Sequence, residues 1–476
     1  MRINLEDIGE MDNFDVCIIG SGPAGITCAL EIAARGKRVL LLEGGETEIS
    51  EESQNLYAGE TIGDPYFDLT TARLRQFGGS SGHWNGRCRN LDAADFEGMG
   101  GDKSFAWPIR KIDLDPYFDR AREILEIGPI GPDKLLGDSG FSHINFVYSP
   151  PVRFAEKYGN PLSNSPSVFL ALKANLTEIE TNGTAVTGLQ VAGYSGVTKR
   201  VRAEKYILAC GGIENSRLLL WSNQKSNGQL VKNSTALGTH WMEHPVFNVG
   251  EAILSTELGY SFDGHGMMHF CPTTDLMMQE SILSCDLILH KTNDSTAKQI
   301  VRDIACVAPS FSAWAFNMLN RNLLCGNRIR AMWEQEPRSV NRVTLGDELD
   351  QLGIPRTVLH WRKSERDMKT LRVATVKFGE YLAKENIGRI KLKPWVLGEG
   401  GPPQDDELGG FHHMGGTRMA ANPDEGVVDR DCQVFGQANL FIAGSSVFPS
   451  GGHVNPTFTI VQLSLRLSET ILNGTD

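Results

Sequence analysis

The sequence has few of the features that mark metal centres, disulfide frameworks or nucleic-acid surfaces. Its 9 cysteines are scattered, without the CxxC pairs or ligand spacing of zinc sites, so we predict reduced thiols and no bound metal. The formal net charge of −12 would repel the phosphates of nucleic acid, so we predict no nucleic-acid partner. No internal repeat or low-complexity tract is present. A globular protein of two or three domains is expected, because 476 residues exceed a single compact core.

Long apolar segments are also missing. The N-terminal segment MRINLEDIGEMDNFD contains no basic, apolar leader that would target the chain for export. The uncharged run 304–320 is interrupted by Pro309 and is too short to span a membrane as a helix. We therefore predict a cytoplasmic protein without a membrane span.

Residues 15–43 carry the most informative pattern in the chain. They begin with DVCII, an apolar, β-branched run typical of a strand buried on both faces. The sequence GSGPAG (20–25) follows at once and opens a helix, and residues 38–42 form a second strand that ends at Glu43. This order of strand, glycine loop, helix, strand and acidic residue predicts a dinucleotide-binding unit.

The residues of this loop have distinct predicted roles. Gly20 permits a tight turn, Gly22 lets the backbone approach a pyrophosphate, and Gly25 allows the helix to pack closely on the strand. The helix N-terminus near Ala24 directs unpaired N–H groups towards the phosphates, and Glu43 accepts hydrogen bonds from ribose hydroxyls. Taken alone, the motif is compatible with NAD or FAD.

Other stretches rich in glycine indicate loops and turns. Residues 77–86, FGGSSGHWNG, contain too much Gly and Ser for a regular element and indicate a loop held against a flat ligand. A predicted strand at 201–209 runs through Gly211-Gly212 into a helix, as either a second phosphate-side turn or a plain strand-to-helix junction. Asn182-Gly183, between two strand-like runs, predicts a β-hairpin.

From about residue 241 the pattern changes. Strand-like runs such as 281–290 and 342–345 precede a long helical stretch at 365–384, which predicts an antiparallel sheet plus helices. The predicted fold class is α/β, with a Rossmann-type domain and a second, substrate domain. The predicted segments are 1–105, 166–240 and 405–476 for the nucleotide-binding domain, 106–165 for the linking and substrate-side segments, and 241–404 for the substrate domain.

Histidines and one asparagine lie beside glycine clusters in the last part of the chain. His412 and His413 lie in FHHMGGTRM, and His453 and Asn455 lie in GGHVNPTFTI. These side chains could converge on one point. Because an isolated histidine is more often structural than catalytic, the residues alone assign no roles here.

Several ordered stretches together resemble the glucose–methanol–choline (GMC) oxidoreductases, a family of flavoproteins. The likeness spans nearly the whole chain, and its segments are 20–43, Gly78-Gly79-Ser80-Ser81, 207–220, Met242-Glu243-His244-Pro245, 412–419 and 439–460. Within the family the chain is most similar to the branch of pyranose oxidases and bacterial sugar or glycoside oxidases and dehydrogenases. The resemblance implies FAD bound across the first domain, with the isoalloxazine at the interface with the second.

The resemblance also implies a reaction. A secondary alcohol, expected on a sugar or glycoside, would be oxidised to a ketone by hydride transfer to flavin N5, with oxygen or a quinone as electron acceptor. A GMC-type lyase, an oxidase of a non-sugar alcohol and a redox-silent scaffold are the alternatives. The oligomeric state stays open.

The family's catalytic histidine opens the pattern H-x-x-G-T-[CT]-x-M. Thr417-Arg418-Met419 sets the register in this chain and places His412 first, although Gly416 stands where the family usually has Thr. A literal match to H-x-x-G-T would select His413, but Met419 would then fall one place early. We therefore favour His412 as the base that takes the hydroxyl proton.

The resemblance supplies the remaining site residues. The family's second catalytic residue is His or Asn, and the match to Asn-Pro-Thr favours Asn455 over the alternative, His453. His453 and His413 are candidates for substrate contact. The residues expected to contact FAD are Gly20, Gly22, Ala24, Gly25, Glu43, Gly78, Gly79, Ser80, Ser81, His83, Trp84, Asn85, Gly444, Asn455, Pro456 and Thr457. His83 occupies the position at which pyranose oxidases attach flavin covalently. Because similar loops hold FAD without a bond, we favour noncovalent binding.

Overall fold

The computed structural model describes residues 1–9, 13–98, 102–232, 235–254, 262–291, 327–403 and 406–474, so the apolar run at 304–320 lies outside the described residues. The strands are, in chain order, β1 (Arg2–Ile3), β2 (Phe14–Ile19), β3 (Val39–Leu42), β4 (Gly59–Gly63), β5 (Arg87–Cys88), β6 (Lys134–Leu135), β7 (Phe141–Ile144), β8 (Val147–Tyr148), β9 (Val168–Ala171), β10 (Asn175–Thr181), β11 (Val186–Ala192), β12 (Thr198–Val201), β13 (Ala203–Leu208), β14 (Val246–Leu254), β15 (Met267–Pro272), β16 (Cys285–His290), β17 (Asn327–Trp333), β18 (Arg342–Leu349), β19 (Pro355–Trp361), β20 (Gly388–Leu392) and β21 (Leu440–Ile442). The α-helices are α1 (Pro23–Ala34), α2 (Glu51–Asn55), α3 (Ala93–Glu97), α4 (Phe118–Leu125), α5 (Phe154–Asn164), α6 (Glu214–Lys225), α7 (Thr274–Glu280), α8 (Glu365–Lys384) and α9 (Thr457–Asn473).

A parallel sheet in the order β1-β9-β3-β2-β13-β21 forms the nucleotide-binding part of the fold. Its central strands β2 and β3 are apolar and buried, as expected of a parallel sheet that is covered on both faces. The predicted unit of strand, loop, helix and strand is present as β2, α1 and β3. Helix α1 packs against α9, so an early helix and a late helix of the chain meet in this domain.

An antiparallel sheet in the order β20-β14-β17-β16-β15-β7-β6 forms the second part of the fold. Helix α8, predicted at 365–384 and observed with those bounds, packs on this sheet. Its buried residues Leu371 and Phe378 lie in one apolar cluster with Phe141 and Trp333. The predicted fold class, with a Rossmann-type domain and an antiparallel second domain, is confirmed.

Some strands pair across the predicted segments. Strands β6 and β7 come from the segment 106–165 and extend the antiparallel sheet. Strand β4 comes from the segment 1–105, yet it pairs in parallel with β19 from the segment 241–404. The two parts of the molecule are therefore joined by shared strand pairing as well as by connecting chain.

Several element ends differ from the predicted ones. The strand predicted at 281–290 begins only at Cys285, because α7 extends to Glu280 and Ser281 is its C-cap, with a φ of +53°. The strand predicted at 201–209 is divided between β12 and β13. The predicted hairpin is confirmed, since Asn182-Gly183 connects the antiparallel strands β10 and β11.

Three further observations concern the described residues alone. Among them, every cysteine is a free thiol. No described group of His, Cys, Asp or Glu side chains is arranged to hold a metal ion. Within the same ranges, no helix combines the length and the apolar character needed to cross a bilayer.

Candidate active site

A cavity of about 600 Å³ is lined by the carboxyl ends of parallel strands and by residues of β15, β16 and β17. Open parallel sheets bind their ligands at this end of the strands. The predicted cofactor residues that line it are Gly20, Gly22, Ala24, Glu43, Gly79, Ser80, Ser81, His83, Trp84, Asn85, Gly444, Asn455, Pro456 and Thr457. His412 and His413 line it too, whereas Gly25, Gly78 and His453 lie outside its lining.

The glycine loop after β2 is shaped by close backbone contacts. Gly20 has a φ of +100°, and a Cβ there would lie 2.5 Å from the carbonyl oxygen of Ala209. A Cβ on Gly25 would lie 1.9 Å from the carbonyl oxygen of Gly20, so only glycine lets α1 start directly behind β2. A Cβ on Gly22 would meet nothing within 4 Å. Gly22 is also the N-cap of α1, so free N–H groups of the helix open towards the cavity and suit an anion.

Glu43 ties this loop to the end of β3. Its Oε2 accepts hydrogen bonds from the Ser21 N–H (3.0 Å) and the Ser21 hydroxyl (2.6 Å), and its Oε1 accepts one from the Gly45 N–H (2.8 Å). An ionised carboxylate has about four acceptor positions, so capacity remains for a ribose hydroxyl. The position of Glu43 in the motif predicts a contact with ribose. The structure adds that the Glu43 carboxylate fixes the glycine loop through its hydrogen bonds to Ser21.

We expect Glu43→Ala to weaken FAD binding by about tenfold or more, because hydrogen bonds to a charged group contribute about 1.5–3 kcal/mol each. The measurement is the flavin content per polypeptide after extended dialysis. Glu46→Ala is the matched control, since Glu46 forms a partly exposed ion pair with Lys173. Flavin content equal to that of the wild type in Glu43→Ala would contradict this role.

The loop that contains His83 is held in place by its own contacts. Residues Gly79–Gly82 form a short 3-10 helix, and the Ser81 hydroxyl donates to the carbonyl oxygen of Gly78 at 2.6 Å. The Trp84 indole N–H donates to the carbonyl oxygen of Val152 at 3.0 Å. Burial and the charge of Arg153 lower the pKa of His83. A neutral imidazole on the cavity wall is therefore available to contact a cofactor ring.

We expect FAD to be held at His83 without a covalent bond, so acid denaturation followed by filtration should release all yellow colour into the filtrate. Retention of colour with the protein would show a covalent link. The variant His83→Ala then identifies the attachment point, because it would lose that retained colour.

Arg87 determines how Asn455 faces His412. The Arg87 Nε donates to Asn455 Oδ1 at 2.9 Å, and Asn455 Nδ2 lies 3.0 Å from His412 Nε2. A guanidinium group can only donate, so the amide oxygen must face Arg87 and the amide N–H must face His412. His412 Nε2 is therefore an unprotonated acceptor. His412 Nδ1 carries the hydrogen and donates to His244 Nδ1 at 2.9 Å.

Glu243 fixes the backbone of the histidine segment. Its Oε1 accepts the N–H of His412 (2.7 Å) and the N–H of His244 (2.8 Å), and its Oε2 accepts the Tyr66 hydroxyl (2.6 Å). Burial raises the pKa of Glu243 to about 7. Because Tyr66 donates to Glu243, it accepts the hydrogen of His413 Nε2, which lies 2.9 Å away.

The histidines at the site are neutral at ordinary pH. The pKa of His412 lies well below 6.5, chiefly because of burial and then because of the neighbouring His244, Arg87 and His413. Burial also lowers the pKa of both His244 and His413 to about 3. His453 is buried elsewhere, with its Nδ1 3.7 Å from the Cys271 sulfur.

The residues that line the cavity fit a flavin dinucleotide. The open helix N-terminus at Gly22 suits a pyrophosphate, and Glu43 suits a ribose. Arg73 lies on the wall, where its guanidinium forms an ion pair with Glu214 at 3.7 Å, but its buried nitrogens make no hydrogen bond to the described residues. Such donors suit the anionic and carbonyl oxygens of a cofactor, because an unmade buried hydrogen bond is costly.

Comparison with known proteins agrees with this geometry. Residues 337–464 match the family model described as GMC oxidoreductase, and residues 15–53 match that of an FAD binding domain. The chain belongs to the GMC oxidoreductase family. The crystal structure of pyridoxine 4-oxidase from Mesorbium loti has the same fold, with a TM-score of 0.63 and 15% sequence identity. The match includes 98% of this GMC oxidoreductase and 100% of the pyridoxine 4-oxidase chain.

Two curated relatives match nearly the whole length of this GMC oxidoreductase, and a third matches a quarter of it. The 2-methyl-1,2-propanediol dehydrogenase of Mycolicibacterium austroafricanum is 26% identical over 97% of this chain and 95% of its own. The fructose dehydrogenase large subunit of Gluconobacter japonicus is 23% identical, covering 96% and 98%. A C-glycoside 3-oxidase of Arthrobacter globiformis is 34% identical over 25% of this chain and 21% of its own.

These findings confirm the predicted family, the FAD cofactor and the class of enzyme. This GMC oxidoreductase is a flavoenzyme that acts on CH–OH groups. The roles of Arg87 and Tyr66 were missed from the sequence. Neither lies in a segment that carries the resemblance, and their contacts with Asn455 and Glu243 join distant parts of the chain.

Proposed function

We propose that this GMC oxidoreductase oxidises a secondary alcohol on a sugar or glycoside to a ketone, with His412 as base. The observation that carries the proposal is the pairing of His412 Nε2 with Asn455 Nδ2, 3.0 Å apart on the cavity wall. The names of two relatives, a fructose dehydrogenase and a C-glycoside 3-oxidase, support a sugar or glycoside as substrate.

The proposed reaction divides the work between two side chains. The alcohol hydroxyl donates to the lone pair of His412 Nε2, and the Asn455 amide N–H donates to the alcohol oxygen. FAD, when bound, would supply the acceptor for the hydride of the carbinol C–H. His412 takes the hydroxyl proton as the carbonyl forms, and its Nδ1–H remains bonded to His244. Arg87 keeps the amide of Asn455 in the orientation that this role requires.

His412 suits the role of base better than His413 does. The hydrogen of His413 Nε2 is directed to the Tyr66 hydroxyl, so this nitrogen offers no lone pair to an alcohol. The lone pair of His412 Nε2, by contrast, is directed at the amide of Asn455. His412 Nε2 and the Asn455 amide bond to each other in this structure, so an alcohol that binds between them replaces this bond and receives one acceptor and one donor.

The pH dependence of the reductive half-reaction follows from the lowered pKa of His412. A base is active when unprotonated, so a pKa well below 6.5 keeps His412 active as the pH falls from 8 through 6.5. We expect the rate constant of flavin reduction to stay constant from pH 8 to pH 6.5 and to fall only well below pH 6.5. Stopped-flow reduction at a series of pH values checks this, and a fall centred at or above pH 6.5 would contradict it.

Anaerobic mixing of the enzyme with a panel of monosaccharides, glycosides and simple alcohols tests the proposed function. Secondary alcohols of sugars or glycosides should bleach the flavin and yield a ketone. Bleaching by non-sugar alcohols alone would overturn the choice of substrate, and conversion without bleaching would indicate a lyase. Mixing the reduced enzyme with oxygen or with a quinone identifies the electron acceptor.

A further inference from the structure

The face of the antiparallel sheet above His412 and Asn455 is mostly apolar. Met267 of β15, Ile288 of β16 and Met332 of β17 line the cavity there. Arg330 of β17 lines it as well, and lies opposite Ile288 in the register of the sheet. The positively charged side chain of Arg330 therefore lies among apolar residues in the cavity that His412 and Asn455 also line.

Arg330 has little to balance its charge. Its Nε donates to Asn248 Oδ1 at 3.2 Å, which leaves both terminal nitrogens of the guanidinium for other acceptors. No carboxylate of the described residues acts on the pKa of Arg330. Burial lowers the pKa of Arg330, and the positive charges of Arg328 and Arg87 lower it further.

Arg87 adds a second cation at the same end of the cavity. Its NH2 lies 3.6 Å from Asp286, but Asp286 also accepts the buried His269 Nδ1 at 2.9 Å. Its NH2 also lies 3.5 Å from the sulfur of Met332, which is two residues from Arg330 on β17 and lines the same cavity. Positive charge therefore exceeds negative charge where the alcohol is expected to bind.

We propose that Arg330, beside Arg87, binds a carboxylate of the substrate, so that the preferred substrate is a sugar acid, such as a uronate or its glycoside. This inference rests on the proposed function. A guanidinium with two free terminal nitrogens matches a carboxylate in two parallel hydrogen bonds. The net charge of −12 gives the chain as a whole no attraction for anions, so this preference comes from the local cations.

Equilibrium binding tests the subsite without turnover. The probes are tetrahydropyran-2-carboxylate and its neutral amide, tetrahydropyran-2-carboxamide, which have no hydroxyl to oxidise. They are titrated into the FAD-loaded enzyme by calorimetry and by perturbation of the flavin spectrum. We expect the carboxylate to bind at least tenfold tighter than the amide. Arg330→Gln should reduce this preference to twofold or less, and Arg330→Lys should keep part of it.

Arg328→Gln is the matched control, because it removes the same charge from the same strand at an exposed position outside the cavity lining. It should keep the tenfold preference. Equal binding of the two probes by the wild type, or equal losses in Arg328→Gln and Arg330→Gln, would overturn the subsite. A loss of flavin from Arg330→Gln would overturn it as well, by assigning Arg330 to the cofactor.

Anaerobic reduction by methyl glucuronide and methyl glucoside separates the subsite from the proposed function. Faster reduction by the glucuronide at low concentration, lost in Arg330→Gln, supports both. Equal reduction by the two glycosides, unchanged in Arg330→Gln, overturns the subsite and leaves the proposed function standing. Tight binding of the carboxylate probe through Arg330, with no reduction by any sugar or sugar acid, supports the anion site and overturns the proposed function.

Discussion

Replacing His412 by alanine is expected to slow flavin reduction by about 10²–10⁴-fold, the range that a general base contributes. FAD should stay bound, because the hydrogen bonds of the glycine loop and of Glu43 do not involve His412. The rate constant is measured by anaerobic stopped flow, and the flavin content is measured on the same preparation.

His413→Ala serves as the control for this experiment. His413 is buried beside Tyr66 and its Nε2 hydrogen is directed there, so its loss should affect the rate less than the loss of His412. An unchanged rate in His412→Ala together with a large loss in His413→Ala would transfer the role of base to His413.

Gly22→Val is expected to abolish FAD binding while the polypeptide still folds. Its Cβ meets no protein atom within 4 Å, and a φ of −70° with a ψ of −174° is open to valine. The added side chain would occupy space that the pyrophosphate needs. Flavin content and thermal unfolding of the apoprotein are the measurements.

Gly25→Val provides the contrast. Its Cβ would lie 1.9 Å from the carbonyl oxygen of Gly20, so α1 could not pack behind β2, and both FAD binding and stability should be lost. A Gly22→Val protein that is purified with a full complement of FAD would show that the cofactor does not approach the loop at Gly22.

Features with a local cause could be predicted from the sequence. The unit of β2, α1 and β3 follows from apolar strands, a glycine loop and an acidic residue that are close together in the chain. Helix α8 was predicted with its observed bounds, because its helical pattern is local to the chain. The structure adds that the Ser364 side chain caps its first turn. Such signals need no knowledge of the tertiary fold.

Features that depend on contacts between distant residues could not be predicted. Arg87 and Asn455 are 368 positions apart, and His412 and Glu243 are 169 positions apart. No spacing or periodicity encodes such a contact, so the orientation of Asn455 was unknown until the fold was available. The pairing of β4 with β19 was missed for the same reason.

The parallel sheet draws β2 and β3, β13 and β21 from three separate stretches of the chain, and α1 rests on α9. During synthesis on a ribosome, the first strands emerge long before β21 and α9 exist. Gly444, Asn455, Pro456 and Thr457 line the cavity, so the predicted flavin site is complete only after translation has passed these last elements. A chain interrupted shortly before α9 should accumulate as a colourless, protease-sensitive product, even though its glycine loop has been made.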